Sequence, residues 1–247
     1  MPLHVRGYVY YCHITEDTGK RVAERLDFRH GSSPPPSNTN IVIRWGNSSG
    51  LGFIPPLVIN KQVAMNNAID KMRAMRIWER EGVPIPSFSE EVPCIGRTRT
   101  HTQGQGLWFC WLPEQVREVK REGADYFIKY IPTAQEWRLH ILGGEVAFVQ
   151  YKYPRPRRTS AFGGVQQFRD EWVTEAHPPN TASREIRNIG VRSVTTLGLD
   201  VGAPDIVQGL DGSICVLEVN TGPALYRDTI GAYIEYFRSE IRTFERG

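Results

Sequence analysis

Late in the chain an Asp-Gly pair, Asp211-Gly212, separates two apolar runs, residues 203–207 and 214–219. This constrains the fold more than any other feature, because Asp-Gly supplies the positive φ that tight hairpin turns demand. With the pair at the tip, Leu210 faces Ser213, Ile206 faces Leu217 and Asp205 faces Glu218. Side chains alternate along a strand, so Glu218 and Asn220 share one face while Leu217 and Val219 share the other. The expected hairpin therefore gathers Asp205, Glu218 and Asn220 above an apolar underside that includes Ile206, Leu217 and Val219. Oxygen ligands at this density suit Mg²⁺, above all Mg²⁺ that also holds a nucleotide's phosphates. The alternative is an ordinary hairpin whose acids are solvated.

The chain has 247 residues, enough for one large domain or two small ones with a sizeable core. Its composition, 23% charged and 40% hydrophobic, is that of a soluble globular protein. A net charge of +3 gives no ground for a nucleic-acid partner. No apolar run is long enough for a transmembrane helix, and the first twenty residues lack the apolar core and cleavage site of a signal peptide. Cys12, Cys94, Cys110 and Cys215 form no CxxC pair and read as reduced, mostly buried thiols of a cytoplasmic protein, with Cys215 on the hairpin's underside.

Ahead of the hairpin, residues 4–11 and Ile41–Trp45 read as strands, with a short helix over 18–26 and an exposed Pro/Ser loop over 31–40. The second strand runs into Arg44-Trp45-Gly46-Asn47-Ser48-Ser49-Gly50, an exit that either binds a substrate or turns a corner. A helix is expected over 62–81, where Met65, Ala68, Ile69, Met72 and Met75 recur at helical spacing and Lys71 stands beside the stripe as a solvated side chain. Residues 93–96 and 107–112 flank a polar, glycine-bearing stretch over 98–106. That stretch is either a loop whose backbone and Arg97, Arg99, His101 and Thr102 approach phosphates, or a mobile hairpin tip. A surface helix over 113–123 and strands over 126–131, 136–142 and 145–151 follow. Alternation sets Glu136, Arg138 and His140 on one face, which either meets water or lines a site. Residues 151–159 are basic and aromatic, a solvated connection or a contact for RNA or an acidic peptide. Helices over 183–197 and 227–244 bracket the hairpin.

The order of these parts resembles the ATP-grasp superfamily. Carrying the resemblance are a helix with Asp70-Lys71 ending in GVPIP, the strand and glycine loop, the YIP segment, the ExRxH strand, and a GLD-terminated helix leading to PDI, the DG turn and LEVN. It covers residues 60–226, is similar to ribosomal-protein glutamate ligases and D-alanine–D-alanine ligases, and is closer still to single-domain ATP-grasp proteins encoded by bacteriophages. It implies an α+β fold: two α+β lobes with mainly antiparallel sheets clasping ATP, over about 61–128 and 129–247, preceded by a short α/β unit over 1–60. It implies Mg-ATP, with a pair of Mg²⁺ ions or Mn²⁺ in their place, bound by Asp205, Glu218 and Asn220. Lys71, Arg97, His101, Thr102, Gly104 and Gly106 are then phosphate contacts. Lys129, Tyr130 and Ile131 form the adenine hinge, and Glu136 contacts the ribose. Arg138 and Lys152, with Arg97, serve the reacting groups. Arg97 stands where many members have lysine, Ile128-Lys129 replaces an acidic hinge residue, and the N-terminal unit is shorter than usual.

The implied activity is ATP-dependent joining of a carboxylate and an amine through an acylphosphate, on a peptide, protein or amino acid, in the cytoplasm (a host's, for a phage protein). Phosphoryl transfer to a carboxylate brings anions together, so fixed cations and metal must hold the attack in line and exclude water. A kinase acting on a small polyol phosphate would use the same hairpin, and a non-catalytic basic binding module is the third reading. Neither a membrane nor a nucleic acid is an expected partner, and oligomeric state is left open.

Overall fold

The structure is a computed structural model and describes residues 6–100, 106–152, 176–227 and 229–247. The basic segment over 151–159 lies outside the described residues, apart from Tyr151 and the backbone of Lys152. Three sheets organise the described residues. The first is parallel, in the order β2-β1-β3-β4, built from β1 (Gly7–Tyr11), β2 (Arg29–Gly31), β3 (Ile41–Trp45) and β4 (Leu57–Ile59). Helix α1 (Glu16–Leu26) connects β1 to β2. The two strands that the sequence does not announce, β2 and β4, have three residues each, too few for a readable alternation.

Next in the chain, α2 (Gln62–Ile69) and α3 (Lys71–Arg80) replace the single helix expected over 62–81. Asp70 breaks it: its backbone is extended, and its carboxylate accepts the Arg73 N–H at 3.0 Å. Aspartate competes with helical backbone in a helix interior but is favoured at an N-cap. The methionine stripe is core as expected, with Met65 and Met75 fully buried. Lys71, expected to be solvated, instead opens α3 and is only 9% exposed.

The second sheet is antiparallel, in the order β6-β5-β7, from β5 (Cys94–Arg97), β6 (Leu107–Cys110) and β7 (Tyr126–Lys129). It is backed by α4 (Pro113–Arg121), whose Val116 and Val119 pack on Cys94, Cys110 and Phe127. The third sheet is also antiparallel, in the order β11-β10-β8-β9, from β8 (Thr133–Leu142), β9 (Glu145–Lys152), β10 (Val201–Gly209) and β11 (Ile214–Asn220). Helix α5 (Arg184–Thr195), capped by Ser183 Oγ accepting from the Ile186 N–H at 3.2 Å, lays Ile186, Ile189 and Val194 into the same core as α2, α3 and this sheet.

The hairpin of β10 and β11 forms with Asp205 opposite Glu218, as the sequence requires. The turn is one residue longer than expected: the Gly209 N–H donates to the Ser213 carbonyl at 2.7 Å, and Gln208 pairs with Ile214. Gly212 has the positive φ, 83°. A bulge between Asp205 and Ile206 then restores the register, so Ile206 pairs with Val216 rather than Leu217. The extra residue reverses the expected facing below it: Val216 and Val219 enter the core, while Leu217 stays outside it and is half-exposed. Cys215 is buried but also outside that core cluster. All four cysteines are free, and burial pushes the Cys94 thiol up to about 11.

Helix α6 (Ile230–Arg246) closes the chain. Its Tyr233, Ile234 and Phe237 share one core with Val9, Ile43 and Trp45 of the parallel sheet and with Phe148 and Val201 of the third sheet. The last helix therefore cements the first sixty residues to the rest.

Candidate active site

Sheet order brings the charges together. Asp205 sits on β10 with Glu218 as its partner on β11 and Arg138 as its partner on β8, so three charged residues stand level across three adjacent strands. Arg138 grips Asp205 with two parallel bonds, Nε to Oδ1 at 2.7 Å and Nη2 to Oδ2 at 2.8 Å. Burial opposes the Arg138 charge, but the Asp205 carboxylate, with Glu218 and Glu136 beyond it, more than offsets this and raises the arginine's pKa. Two further cations arrive from other elements. Arg97 at the end of β5 places Nη2 3.3 Å from Glu218 Oε2, and Lys71 at the start of α3 places Nζ 3.6 Å from the same oxygen. Three sheet strands, a helix start and the smaller antiparallel sheet thus converge on two carboxylates. Asn220 ends β11, its Nδ2 donating to the Ala203 carbonyl at 3.3 Å.

The break at Asp70 serves this placement, and the sequence reading did not find it. Asp70 caps α3 and also binds Arg99, at 2.5 Å to Nη2 and 3.4 Å to Nε. The Arg99 carbonyl accepts the Lys71 N–H at 2.8 Å, and the Arg99 N–H donates to Asp125 Oδ2 at 2.7 Å. The strand exit after β5 is thereby tied to the helix start that carries Lys71. The available signal was an aspartate, a favoured N-cap residue, inside a helical pattern.

The remaining expected residues are placed as follows. Glu136 is half-buried on β8, opposite Lys152 of β9, whose side chain lies outside the described residues. His101, Thr102 and Gly104 also lie outside them. Gly106 closes the root of that stretch, its carbonyl accepting the Thr98 N–H at 3.0 Å. At the hinge, the Lys129 and Tyr130 amides donate to the Ser87 and Pro93 carbonyls at 2.9 and 3.1 Å, and the Ile131 carbonyl accepts from Thr133 Oγ1 at 3.0 Å. The Tyr130 ring lies edge-on to Phe109 and Trp111. His140, expected on the face of Glu136 and Arg138, is fully buried: Nδ1 meets the Tyr233 hydroxyl at 2.9 Å, Nε2 meets Gln150 Oε1 at 3.0 Å, and the ring stacks on Phe148. Burial lowers its pKa to about 3, so it is a neutral strut between β8, β9 and α6.

Asp205, Glu218 and Asn220 offer only oxygen donors for a metal. Among the described residues no three His, Cys, Asp or Glu side chains cluster. Two carboxylates and a carboxamide fit Mg²⁺, which fills its octahedron with water and phosphate oxygens rather than with a full protein cage.

Two antiparallel-sheet lobes facing each other across converging cations, joined to a parallel sheet, are the architecture of the ATP-grasp fold, and solved ATP-grasp ligases superpose on the chain. D-alanine–D-alanine ligase from Bacillus anthracis superposes with a TM-score of 0.74 at 12% identity, covering 98% of both chains. The ATP-grasp ligase PsnB complexed with a minimal precursor superposes with a TM-score of 0.66 at 15% identity, covering 96% of this chain and all of that one. In sequence the chain is similar to a probable alpha-L-glutamate ligase of Serratia proteamaculans, 26% identical over 230 residues that cover 78% of this chain and 70% of the relative. One from Aeromonas salmonicida is 26% identical over 218 residues, covering 73% and 67%. No protein-family model matches the chain.

Proposed function

We propose that this protein is an ATP-dependent carboxylate–amine ligase acting through an acylphosphate on an amino acid, peptide or protein. The observation that carries the reading is the convergence of Lys71, Arg97 and Arg138 on Asp205 and Glu218, at the edge of a hairpin ending in Asn220. A set of hard oxygen donors ringed by fixed cations is what phosphoryl transfer to a carboxylate requires, and its relatives bear the ligase name.

Asp205, Glu218 and Asn220 would hold Mg²⁺, which supplies charge neutralisation and a fixed position for the phosphates. With the carboxylates engaged in that way, Lys71, Arg97 and Arg138 change partners from carboxylate to phosphate and acylphosphate oxygens. Arg138 is the member best placed to follow charge as it moves between phosphate and acyl oxygen, because its planar fork binds either bidentately. Lys152, at the end of β9, adds a cation at the far side of the same sheet. His101, Thr102, Gly104 and Gly106 contact the outer phosphates. Tyr130 and Ile131 shelter the base beside Lys129, and Glu136 takes the ribose. The hairpin serves a pair of Mg²⁺ ions, with Mn²⁺ as a substitute. Residues 1–60 act as the opening unit and 61–247 as the nucleotide clasp, working in the cytoplasm, a host's where the source is a phage.

Thermal denaturation with ATP, with and without Mg²⁺, tests the nucleotide half: Tm rises with Mg-ATP by linkage. Absence of any Mg²⁺-dependent rise refutes the reading. Incubation with ATP and amino-acid and peptide pools, followed by phosphate release and product mass, tests the second half. A phosphorylated product instead of an amide identifies a kinase.

A further inference from the structure

The exit of β3, Arg44 to Gly50, is not used by the nucleotide site, yet it contains an electrostatic anomaly. Arg44 is 1% exposed. Among the described residues no carboxylate pairs with it. Its Nη1 donates to the carbonyls of Asn47 at 3.1 Å and Ser49 at 2.7 Å, its guanidinium lies 5.6 Å from the Tyr10 ring centroid, and its Nε has no partner. Burial accordingly lowers its pKa. An isolated buried charge is among the most costly features a fold can carry, and an arginine cannot escape by losing its proton.

Its position gives the anomaly a use. In the parallel sheet the chain leaves β1 for β2 on one side, while β3 lies on the other. The carboxyl ends of β1 and β3 therefore form the crevice where open α/β sheets take ligands. The guanidinium points to that end, since it holds the carbonyls of residues that follow β3. The loop is braced by Asn47, whose Nδ2 donates to the Tyr11 carbonyl at 2.8 Å and whose Oδ1 accepts the Ser49 N–H at 2.9 Å. The crevice also touches the active-site hairpin. Thr221 follows Asn220, and its carbonyl accepts the Gly46 N–H at 3.2 Å. A Cβ on Gly222 would come within 2.8 Å of the Gly46 nitrogen, so only glycine permits this approach. Ser49 and Gly50 are exposed, leaving the loop itself as the cover over the cation.

We propose that the crevice at the carboxyl ends of β1 and β3 binds a carboxylate of the substrate, with Arg44 as its counter-charge. The assignment rests on the ligase reading and names the charged group by which that substrate is recognised. The incoming carboxylate takes the unused Nε together with Nη2, the edge by which Arg138 holds Asp205, while Nη1 keeps the Asn47 and Ser49 carbonyls. A single guanidinium beside a tyrosine ring suits a planar monoanion, whereas phosphates have the cation cluster at Glu218.

The test is thermal denaturation and calorimetry of the full chain with L-glutamate, with acetate as a minimal carboxylate and inorganic phosphate as the competing anion, each with and without Mg-ADP. L-glutamate is expected to raise the Tm of the wild-type protein. Arg44→Met is expected to weaken its binding about ten- to a hundredfold, with Arg44→Lys in between. A cooperative unfolding transition without added ligand reports whether each variant is folded. The proposal is overturned if neither carboxylate shifts the wild type, if the shift survives in Arg44→Met, or if phosphate alone produces it. An Arg44-dependent carboxylate shift without any Mg-ADP shift keeps the crevice and removes the ligase reading. A purely structural arginine would instead show as a fall in the Tm of Arg44→Met with unchanged carboxylate affinity, which also overturns the proposal.

Discussion

Two buried arginines in this molecule meet burial in opposite ways. Arg138, on the antiparallel sheet, has a carboxylate waiting on the neighbouring strand and holds it bidentately. Arg44, on the parallel sheet, has backbone carbonyls and a ring, and no carboxylate among the described residues. The pKa directions follow: raised for Arg138, lowered for Arg44. Pairing makes the first region self-sufficient at rest, and under the proposed function metal and phosphate would exchange its partners. The second is left with a buried charge whose cost no carboxylate among the described residues offsets.

The largest effect is expected at the point where the paired region does its chemistry. Glu218→Gln removes a proposed metal ligand and the anchor of both Arg97 and Lys71, and should lower ATP-dependent product formation about a hundredfold or more while the fold persists. Retained phosphate release in a product assay would remove Glu218 from the machinery. Next, Asp205→Asn takes from Arg138 the carboxylate it grips bidentately and leaves the charges of Glu218 and Glu136 nearby, moving it toward the state of Arg44. It should cost about 3–5 kcal/mol in chemical denaturation. Adding Arg138→Met to that variant should recover most of the loss; if it does not, the cost lies in packing and the contrast between the two arginines fails.

A smaller effect comes from His140, which supports the paired region from behind. Its folded pKa, about 3, lies below its ordinary value, so the unfolded chain binds more protons between those limits. The stability this confers is fully present above about pH 6.5 and is lost as pH falls toward 3, at up to about 1.4 kcal/mol per pH unit. His140→Gln should flatten that part of the stability–pH curve, and an unchanged slope would place the acid sensitivity elsewhere. The smallest effect separates the two duties of Asp70. Asn is also a good cap, so Asp70→Asn should lose only the solvent-screened Arg99 pair, whereas Asp70→Ala should lose the cap as well, about 1 kcal/mol more. Equal losses in denaturant titrations would mean that the cap contributes nothing.

The sequence alone determined the hairpin, the pairing of Asp205 with Glu218, the helix over 183–197 and the strands over 136–142 and 145–151. Each follows from a turn residue or a period of two or 3.6, which act over a few residues. It even reached the right Asp205–Glu218 register through a turn one residue too short, because the bulge at Asp205 cancels the error; Leu217, below the bulge, was therefore assigned to the wrong side. What only the tertiary structure decided is where distant charges meet. Arg138 lies 67 residues from Asp205, and their contact exists because β8 rather than β9 is the neighbour of β10. Lys71 is buried because Asp70 restarts the helix toward Glu218, and Arg44 meets backbone carbonyls, with no carboxylate among the described residues, because the chain turns back over the end of β3. Periodicity fixes which face a side chain takes, but strand order and helix docking bring faces together, and those are set by the burial of the whole core.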